Sequence, residues 1–164
     1  MTGQHTDEAT IAALWEFPNL CIALFGIQFH TEEGRRLYEE AGIGLELDAS
    51  MVEAREHGLL LNRPMDTPEG PLLMQYWRSF DELYRWARSM PHARWWRWLV
   101  EHSGSGVGFY HELYLAKTAE AIYEHGTTPV GPALFCSTEQ IKAGKGGSPK
   151  RQRRFADAAA KMDT

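Results

Sequence analysis

A histidine and a glutamate, His111 and Glu112, stand side by side in the segment GVGFYHELYLAK, residues 106–117. Both side chains can take up or release a proton, yet the aromatic and apolar residues around them are typical of a buried β-strand. Because successive side chains of a strand point to opposite faces, we expect His111 to share a face with Phe109 and Leu113, away from Glu112. The sequence therefore does not predict that the two side chains act as a pair.

The expected burial of His111 leaves two interpretations open. In apolar surroundings its pKa would fall, leaving a neutral imidazole that can accept a proton or bind a metal or haem iron. It could instead be a core histidine that is hydrogen-bonded to a backbone carbonyl or a tyrosine. For Glu112 an ion pair, either with Arg78 or with an arginine across a dimer, is favoured over a catalytic role.

Two further segments carry candidate binding groups. In MQYWRSF, residues 74–80, Tyr76, Trp77 and Arg78 come at the end of a predicted strand, where binding groups are common. The arginine there can hold a carboxylate or a developing anion, or it can clamp the following helix. His92 follows a proline at a helix restart, where backbone N–H groups are free. Trp96 is either a core or dimer contact or a wall of an apolar ligand cavity.

The order of the predicted elements sets where these groups lie. Residues 19–29 predict a strand, a helix follows with Thr31 as its N-cap and a break near residues 42–44, and two apolar runs around DTPEG predict a hairpin. A capping box at Ser79 opens the next helix, which Pro91 should kink or restart before the histidine-containing strand. This order is βαββαβ, so the predicted fold is α+β, with a ferredoxin-like antiparallel sheet and helices on one face. The short run EAIYEH predicts one more strand.

The predicted strands are apolar on both faces. In LLMQYW, residues 72–77, and LCIALF, residues 20–25, large apolar side chains occupy odd and even positions alike. An antiparallel sheet with one face in water alternates apolar with polar residues, and each large apolar side chain left in water costs about 1.5 to 3 kcal/mol. We therefore predict that a second copy of the chain packs its sheet on the uncovered face, which gives a homodimeric α/β barrel.

Composition indicates a globular protein, since 43% of the 164 residues are hydrophobic and 12% aromatic. We expect residues 1–16 to be an N-terminal extension, residues 17–135 the α+β barrel domain and residues 136–164 a flexible, basic tail. The chain shows neither a signal-like start nor an apolar run of bilayer length, so we expect a cytoplasmic protein without a membrane partner. Cys21 and Cys136 have neither metal-ligand spacing nor a disulfide framework.

Charge is divided unevenly along the chain. Up to residue 141 there are 10 Lys and Arg against 20 Asp and Glu, whereas residues 142–164 have 7 against 2. The acidic body would repel phosphate, and no nucleic-acid-binding motif accompanies the basic run KAGKGGSPKRQRR. We therefore predict no nucleic-acid partner.

The segments PLLMQYWRSFDELYRWAR, MPH, WWRW, VGFYHELY and EAIY together resemble the fumagillin-type polyketide monooxygenase family, which lies within the dimeric α/β-barrel superfamily. The resemblance covers roughly residues 17–126, and QYWRS and VGxxHExY are its specific parts. It implies a ferredoxin-like homodimer that oxygenates small organic molecules in secondary metabolism. The characteristic positions of the family correspond here to Gln75, Tyr76, Trp77, Arg78, Ser79, Pro91, His92, His111, Glu112 and Tyr114.

Three functional hypotheses follow. The first is a small-molecule monooxygenase that acts on an aromatic or polyketide-like substrate in an apolar pocket between sheet and helices. Its predicted catalytic residues are His111, Arg78 and Glu112, and its predicted substrate-binding residues are Tyr76, Trp77, His92, Tyr114, Gln75 and Trp96. The second is a haem enzyme of the aldoxime-dehydratase or peroxidase type with His111 or His92 as the axial ligand, so the cofactor is either none or haem. The third is a non-catalytic dimeric protein that holds an apolar ligand.

Overall fold

The computed structural model describes residues 9–117 and 119–141, which form seven strands and four α-helices. The strands are β1 (Ala9–Ala12), β2 (Cys21–Phe29), β3 (Leu59–Thr67), β4 (Gly70–Trp77), β5 (Val107–Leu115), β6 (Ile122–Tyr123) and β7 (Thr138–Ile141). The helices are α1 (Glu32–Glu40), α2 (Ile43–Glu56), α3 (Phe80–Ala87) and α4 (His92–Glu101). Contacts divide the chain into a central unit, Leu20–Leu115, and a flanking unit built from the segments on either side of it.

The central unit has the predicted ferredoxin-like topology. Its four strands pair antiparallel in the order β3-β4-β2-β5, and the helices lie in the βαββαβ order along the chain. The predicted α+β fold is confirmed. Strands β3 and β5 are the two edges of this sheet, so a single chain does not close a barrel within its described residues.

Local sequence signals account for where the helices begin. The Thr31 side chain accepts a hydrogen bond from the backbone N–H of Gly34 at 3.0 Å and so caps α1. At the start of α3 the Ser79 hydroxyl accepts from the backbone N–H of Glu82 at 3.2 Å, and it donates to the Glu82 carboxylate at 3.1 Å. Both predicted caps are confirmed.

The two helical regions are each interrupted where the sequence predicts it. Gly42, with φ of 66°, separates α1 from α2, and glycine adopts this left-handed conformation without the steric cost that a Cβ brings. Helix α3 ends at Ala87 and α4 begins after Pro91. The helical layer therefore consists of four short helices.

The core of the central unit lies between the helices and one face of the sheet. Cys21 and Ala23 of β2 and Trp77 of β4 pack there against residues from the helices. These helix residues are Ile43, Met51, Ala54, Leu83, Trp86 and Trp95. The other face of the sheet, here called the open face, carries the alternate residues of the same strands, among them Ile22, Leu24, Leu72, Met74 and Tyr76. Both faces are apolar, as the sequence predicts.

The flanking unit contains a second small sheet, in the order β6-β1-β7. Strand β6 confirms the strand predicted for EAIYEH, whereas β1 and β7 were not predicted. Strand β7 occupies residues 138–141, where the sequence predicts a flexible tail, so this part of the prediction is wrong. Residues 1–8 and 142–164 lie outside the described residues, and the predicted domain boundaries stay a prediction. None of the helices in the described part of the chain is long and apolar enough to cross a bilayer.

Candidate functional site

The imidazole of His111 is surrounded by aromatic rings on the helix side of β5. His111 pairs with Phe25 of β2, and the two ring centroids are 6.3 Å apart. The indole of Trp96, from α4, has its ring centroid 5.7 Å from that of His111 and 5.1 Å from that of Phe109. Phe109 lies two residues before His111 in β5. We call His111, Phe25, Trp96 and Phe109 the imidazole cluster. It places an ionisable side chain beside three aromatic rings.

The predicted burial of His111 is wrong for the single chain. Val107, at the start of β5, is buried, but every residue from His111 to Leu115 is exposed. Helix α4 runs over the first half of the strand and contributes Trp96 there, whereas Leu113 is 41% exposed and Leu115 58%. The side chains of the second half of the strand are therefore exposed to solvent on both faces of the sheet.

The open face of β5 carries a carboxylate–phenol pair. The Tyr114 hydroxyl donates to the Glu112 carboxylate at 2.5 Å, and this hydrogen bond raises the pKa of Tyr114. Glu112 pairs with Leu24 on the open face and His111 with Phe25 on the helix face, which confirms that the two neighbours serve different faces. The structure thus brings two predicted site residues, Glu112 and Tyr114, into direct contact.

Arg78 does not join either group. Its guanidinium pairs with the Glu82 carboxylate of the α3 capping box at 3.1 Å, and the predicted ion pair with Glu112 is not formed. Trp77 lies opposite Cys21 and His111 opposite Phe25, so Arg78 is about 16 Å from His111 along the strands and about 10 Å across them. Within one chain the two side chains are thus far apart, and the catalytic role predicted for Arg78 stays a prediction.

Gln75 and Trp77 are closed inside the core, with exposures of 1% and 0%. The Trp77 indole N–H donates to the Gln75 side-chain oxygen at 2.9 Å, and the Gln75 amide N–H donates to the Asn62 oxygen at 3.1 Å. Neither side chain has surface to offer a substrate, so their assignment as binding residues is corrected to a structural hydrogen-bonded core. Tyr76 points to the open face and is 5% exposed, with its hydroxyl 3.8 Å from the Met74 sulfur.

His92 lies in the helical layer between two tryptophans. Its ring centroid is 4.9 Å from that of Trp86 and 5.9 Å from that of Trp95. Burial lowers the pKa of His92, and the hydrogen bond to the Ala87 carbonyl at 2.8 Å opposes this shift in part. Since a carbonyl oxygen only accepts, Nδ1 carries the proton. This geometry is that of a packed histidine at the junction of α3 and α4.

A groove lies on the helical layer next to the His92 junction, since Pro91 precedes His92 and Glu46 accepts a hydrogen bond from the Trp95 indole at 2.8 Å. It has a volume of about 470 Å³ and is lined by Glu46, Ala49, Ser50, Glu53, Pro91 and Arg94. Two carboxylates and one guanidinium stand in this lining, although more of its surface is apolar than polar. It contains none of the nine predicted catalytic and binding residues.

Phe25 and Phe109 were not predicted as site residues. The alternation of side chains along β5 places Phe109 on the same face as His111, so the sequence alone was sufficient to predict this neighbour. Phe25 enters the cluster through the register between β2 and β5, and no local pattern gives that register. Long-range strand pairing is thus the missing information.

The sequence of this chain matches the model of a known protein family. The family model described as monooxygenase af470-like matches residues 30–131, which is more than half of the chain. The chain belongs to the monooxygenase af470-like family. The matched range contains the QYWRS and VGFYHELY segments, so the resemblance seen in the sequence is confirmed. A comparison with curated proteins finds no match.

Solved structures support the fold of this af470-like chain. An aldoxime dehydratase is similar with a TM-score of 0.59 at 20% identity, over 97% of this chain and 47% of that one. An aldoxime dehydratase in complex with butyraldoxime gives 0.57 at 19% identity, with the same coverage. A cofactor-independent oxygenase from Streptomyces nogalater is more distant, with a TM-score of 0.29 at 11% identity over 68% of this chain and 94% of that one. The af470-like chain spans about half the length of the two dehydratases.

The surroundings of His92 and His111, the two candidate haem ligands, decide whether a porphyrin has space beside them. An axial histidine must face a flat apolar slot, but Trp86 and Trp95 pack around His92, and His111 stands at the solvent-exposed half of β5. Neither arrangement fits a haem within one chain of this af470-like protein. In the described part of the chain no cluster of three or more His, Cys, Asp or Glu side chains could hold a metal ion.

Proposed function

We propose that this af470-like protein is a cytoplasmic, homodimeric monooxygenase of secondary metabolism that acts on an aromatic or polyketide-like small molecule. The observation that carries the proposal is the imidazole cluster, in which a proton-exchanging side chain stands exposed beside three aromatic rings. Family membership supports an oxygenation reaction. The fold alone is compatible with other chemistry.

In this proposal His111 acts as a general base. A flat substrate ring rests against Trp96 and Phe25, and the imidazole removes a proton from a phenol or from a methylene group beside the ring. The resulting electron-rich anion reacts with O2. Conversion of the methylene to a carbonyl takes one oxygen atom from O2, and the other leaves as water, so both the electrons and the protons come from the substrate.

The homodimer of this proposal concerns the open face of β5, opposite the imidazole cluster. On that face the exposed half of β5 carries Glu112 and Tyr114, which a second copy packed there would cover. The dehydratases have about twice the length that this chain matches, and a second copy would supply a comparable amount of chain.

The test is oxygen consumption with a panel of phenolic and polyketide-like compounds. We expect turnover with at least one compound and a loss of about 10²-fold or more in His111→Ala, the usual range for removal of a general base. The matched control is His57→Ala, which removes an exposed histidine at the end of α2. Turnover that survives in His111→Ala would overturn the assigned base.

The same panel of compounds, together with an absorption spectrum of the protein, separates the other two hypotheses. A ligand-binding protein would bind members of the panel without consuming oxygen. A haem enzyme would show a Soret band in the freshly purified protein that His111→Ala or His92→Ala abolishes, and this result would replace the cofactor-free proposal.

A further inference from the structure

Helix α2 has apolar side chains on two opposite faces. Its inner face packs in the core of the central unit. Its outer face carries Leu45, Ala49 and Val52, all exposed, at the i, i+4 and i+7 spacing that sets side chains in one row along a helix. We call these three residues the outer row. A helix with one face in water carries polar side chains on that face, so an apolar outer row indicates a surface that binds a partner.

The outer row contains the two most exposed large apolar side chains among the described residues. Leu45 is 81% exposed and Val52 72%. Met90, at 62%, is the third, and it precedes Pro91, which lines the groove beside α2 together with Ala49. Single exposed apolar side chains are common on proteins, whereas a row at helical spacing beside a groove is typical of a site that binds another helix.

Acidic residues flank the outer row. Helix α2 contains four acidic residues and one basic residue. Glu46 and Glu53 line the groove on one side of the row, and Asp48 lies on the other side by the period of the helix. Arg94 of α4 pairs with Glu46 and adds a second guanidinium to this surface. The surface therefore remains acidic at neutral pH.

This charge decides among the partners that an apolar row can take. A second copy that docked through the same row would bring like charges together, which disfavours association. An anionic membrane surface would be repelled for the same reason. A helix with its own apolar row and with Lys or Arg beside it would complement both the outer row and its acidic flanks.

We propose that the outer row of α2 and the adjoining groove bind a basic amphipathic helix of a partner protein. Apolar side chains of the partner, also spaced i, i+4 and i+7, cover Leu45 and Val52, and its basic side chains reach Glu46 and Glu53. This surface contains none of the residues of the imidazole cluster, so the inference is independent of the proposed reaction.

The probe is a fluorescently labelled peptide with the sequence of residues 149–163, PKRQRRFADAAAKMD. It has the required chemistry, because five Lys and Arg accompany Phe155, Ala159 and Met162 at the i, i+4 and i+7 spacing. We expect its fluorescence anisotropy to rise to saturation as the full-length protein is added. Val52→Asp and Glu53→Lys, both changes of exposed side chains, should each weaken binding by about 10-fold or more.

A second exposed Val–Glu pair supplies the matched controls. Val100→Asp and Glu101→Lys make the same changes at the end of α4 and should leave peptide binding unchanged. A peptide of the same composition in scrambled order separates the apolar row from charge alone. If the scrambled peptide binds as tightly, or if the changes in α2 and α4 have equal effects, an acidic protein merely attracts a basic peptide and the proposal is overturned.

Other occupants of this surface give different results. If the protein does not bind the peptide and Val52→Asp alters its oligomeric state at sedimentation equilibrium, a second copy covers the outer row and the proposal is wrong. If the peptide binds only when Arg151, Arg153 and Arg154 of the full chain are changed to Gln, the chain's own basic residues compete with it, which supports the stated chemistry. Absence of binding to both proteins overturns the proposal.

Discussion

Strands β4 and β5 flank the same central strand, yet their final residues have opposite surroundings. Cys21 of β2 pairs with Trp77 of β4 on one side and with Leu115 of β5 on the other. Trp77 is 0% exposed, and Leu115 is 58% exposed. The ring of Trp77 packs on Trp86 of α3 at 5.4 Å, whereas α4 places Trp96 over the earlier part of β5.

This difference assigns different tasks to the two specific motifs of the sequence. The QYWRS segment, at the end of β4, closes the core through Gln75 and Trp77 and caps α3 through Ser79. The HELY segment, in β5, keeps His111 and Glu112 exposed on its two faces. A motif that stands out in a sequence can therefore mark a structural requirement as readily as a chemical one.

The largest test of this comparison is alanine substitution at the two strand ends. Trp77→Ala should lower the free energy of unfolding by about 3 to 5 kcal/mol, because it empties a fully buried indole site. Leu115→Ala should change it by about 0.5 kcal/mol or less, since the side chain is largely in water. Urea unfolding at a protein concentration that keeps all variants in one oligomeric state measures both. Equal losses would show that the two ends share one environment.

A smaller effect is expected from the hydrogen bonds of Gln75. Gln75→Met keeps much of the volume but leaves the Trp77 indole N–H without its acceptor, which should cost about 1 to 3 kcal/mol. Leu113→Ala is the comparison on β5, because Leu113 lies opposite the same residue, Ala23, and is 41% exposed.

A double-mutant cycle isolates the bond between Gln75 and Trp77. Trp77→Phe removes the N–H donor, so Gln75→Met should cost less in that background than in the wild type. Additive losses would show that the 2.9 Å contact contributes no coupling energy.

The sequence predicts features that depend on local chemistry. The caps at Thr31 and Ser79, the break at Gly42 and the opposite directions of His111 and Glu112 all follow from a few adjacent residues. Each is set by hydrogen bonding within one turn or by the pleat of one strand.

Features that depend on distant parts of the chain were not predicted. The period of β4 puts Gln75 and Trp77 on one face, but only the position of the helices makes that face the core. The exposure of His111 depends on how far α4 extends over β5, and β7 is a polar four-residue strand, TEQI, that forms through pairing with β1. Tertiary contacts, which override local preference, decide these points.

The smallest expected effect concerns the pH dependence of stability and contrasts His92 with exposed histidines. Burial holds the pKa of His92 below its ordinary value, so the unfolded chain binds the proton more readily than the folded chain. The neutral ring therefore favours folding fully above the unfolded pKa of about 6.5, and this contribution is lost as the pH falls through the folded pKa.

His92→Gln should reduce the loss of stability that the wild type shows as the pH is lowered from about 7 to 5. Urea unfolding across this range measures the change, and His57→Gln, at the exposed position directly after α2, is the matched control. The glutamine can still donate to the Ala87 carbonyl, so its effect at neutral pH should be small beside that of Trp77→Ala. An unchanged pH dependence in His92→Gln would show that the ring between Trp86 and Trp95 accepts a proton as easily as it does in the unfolded chain, and the helical layer would then be more open at this junction than its packing implies.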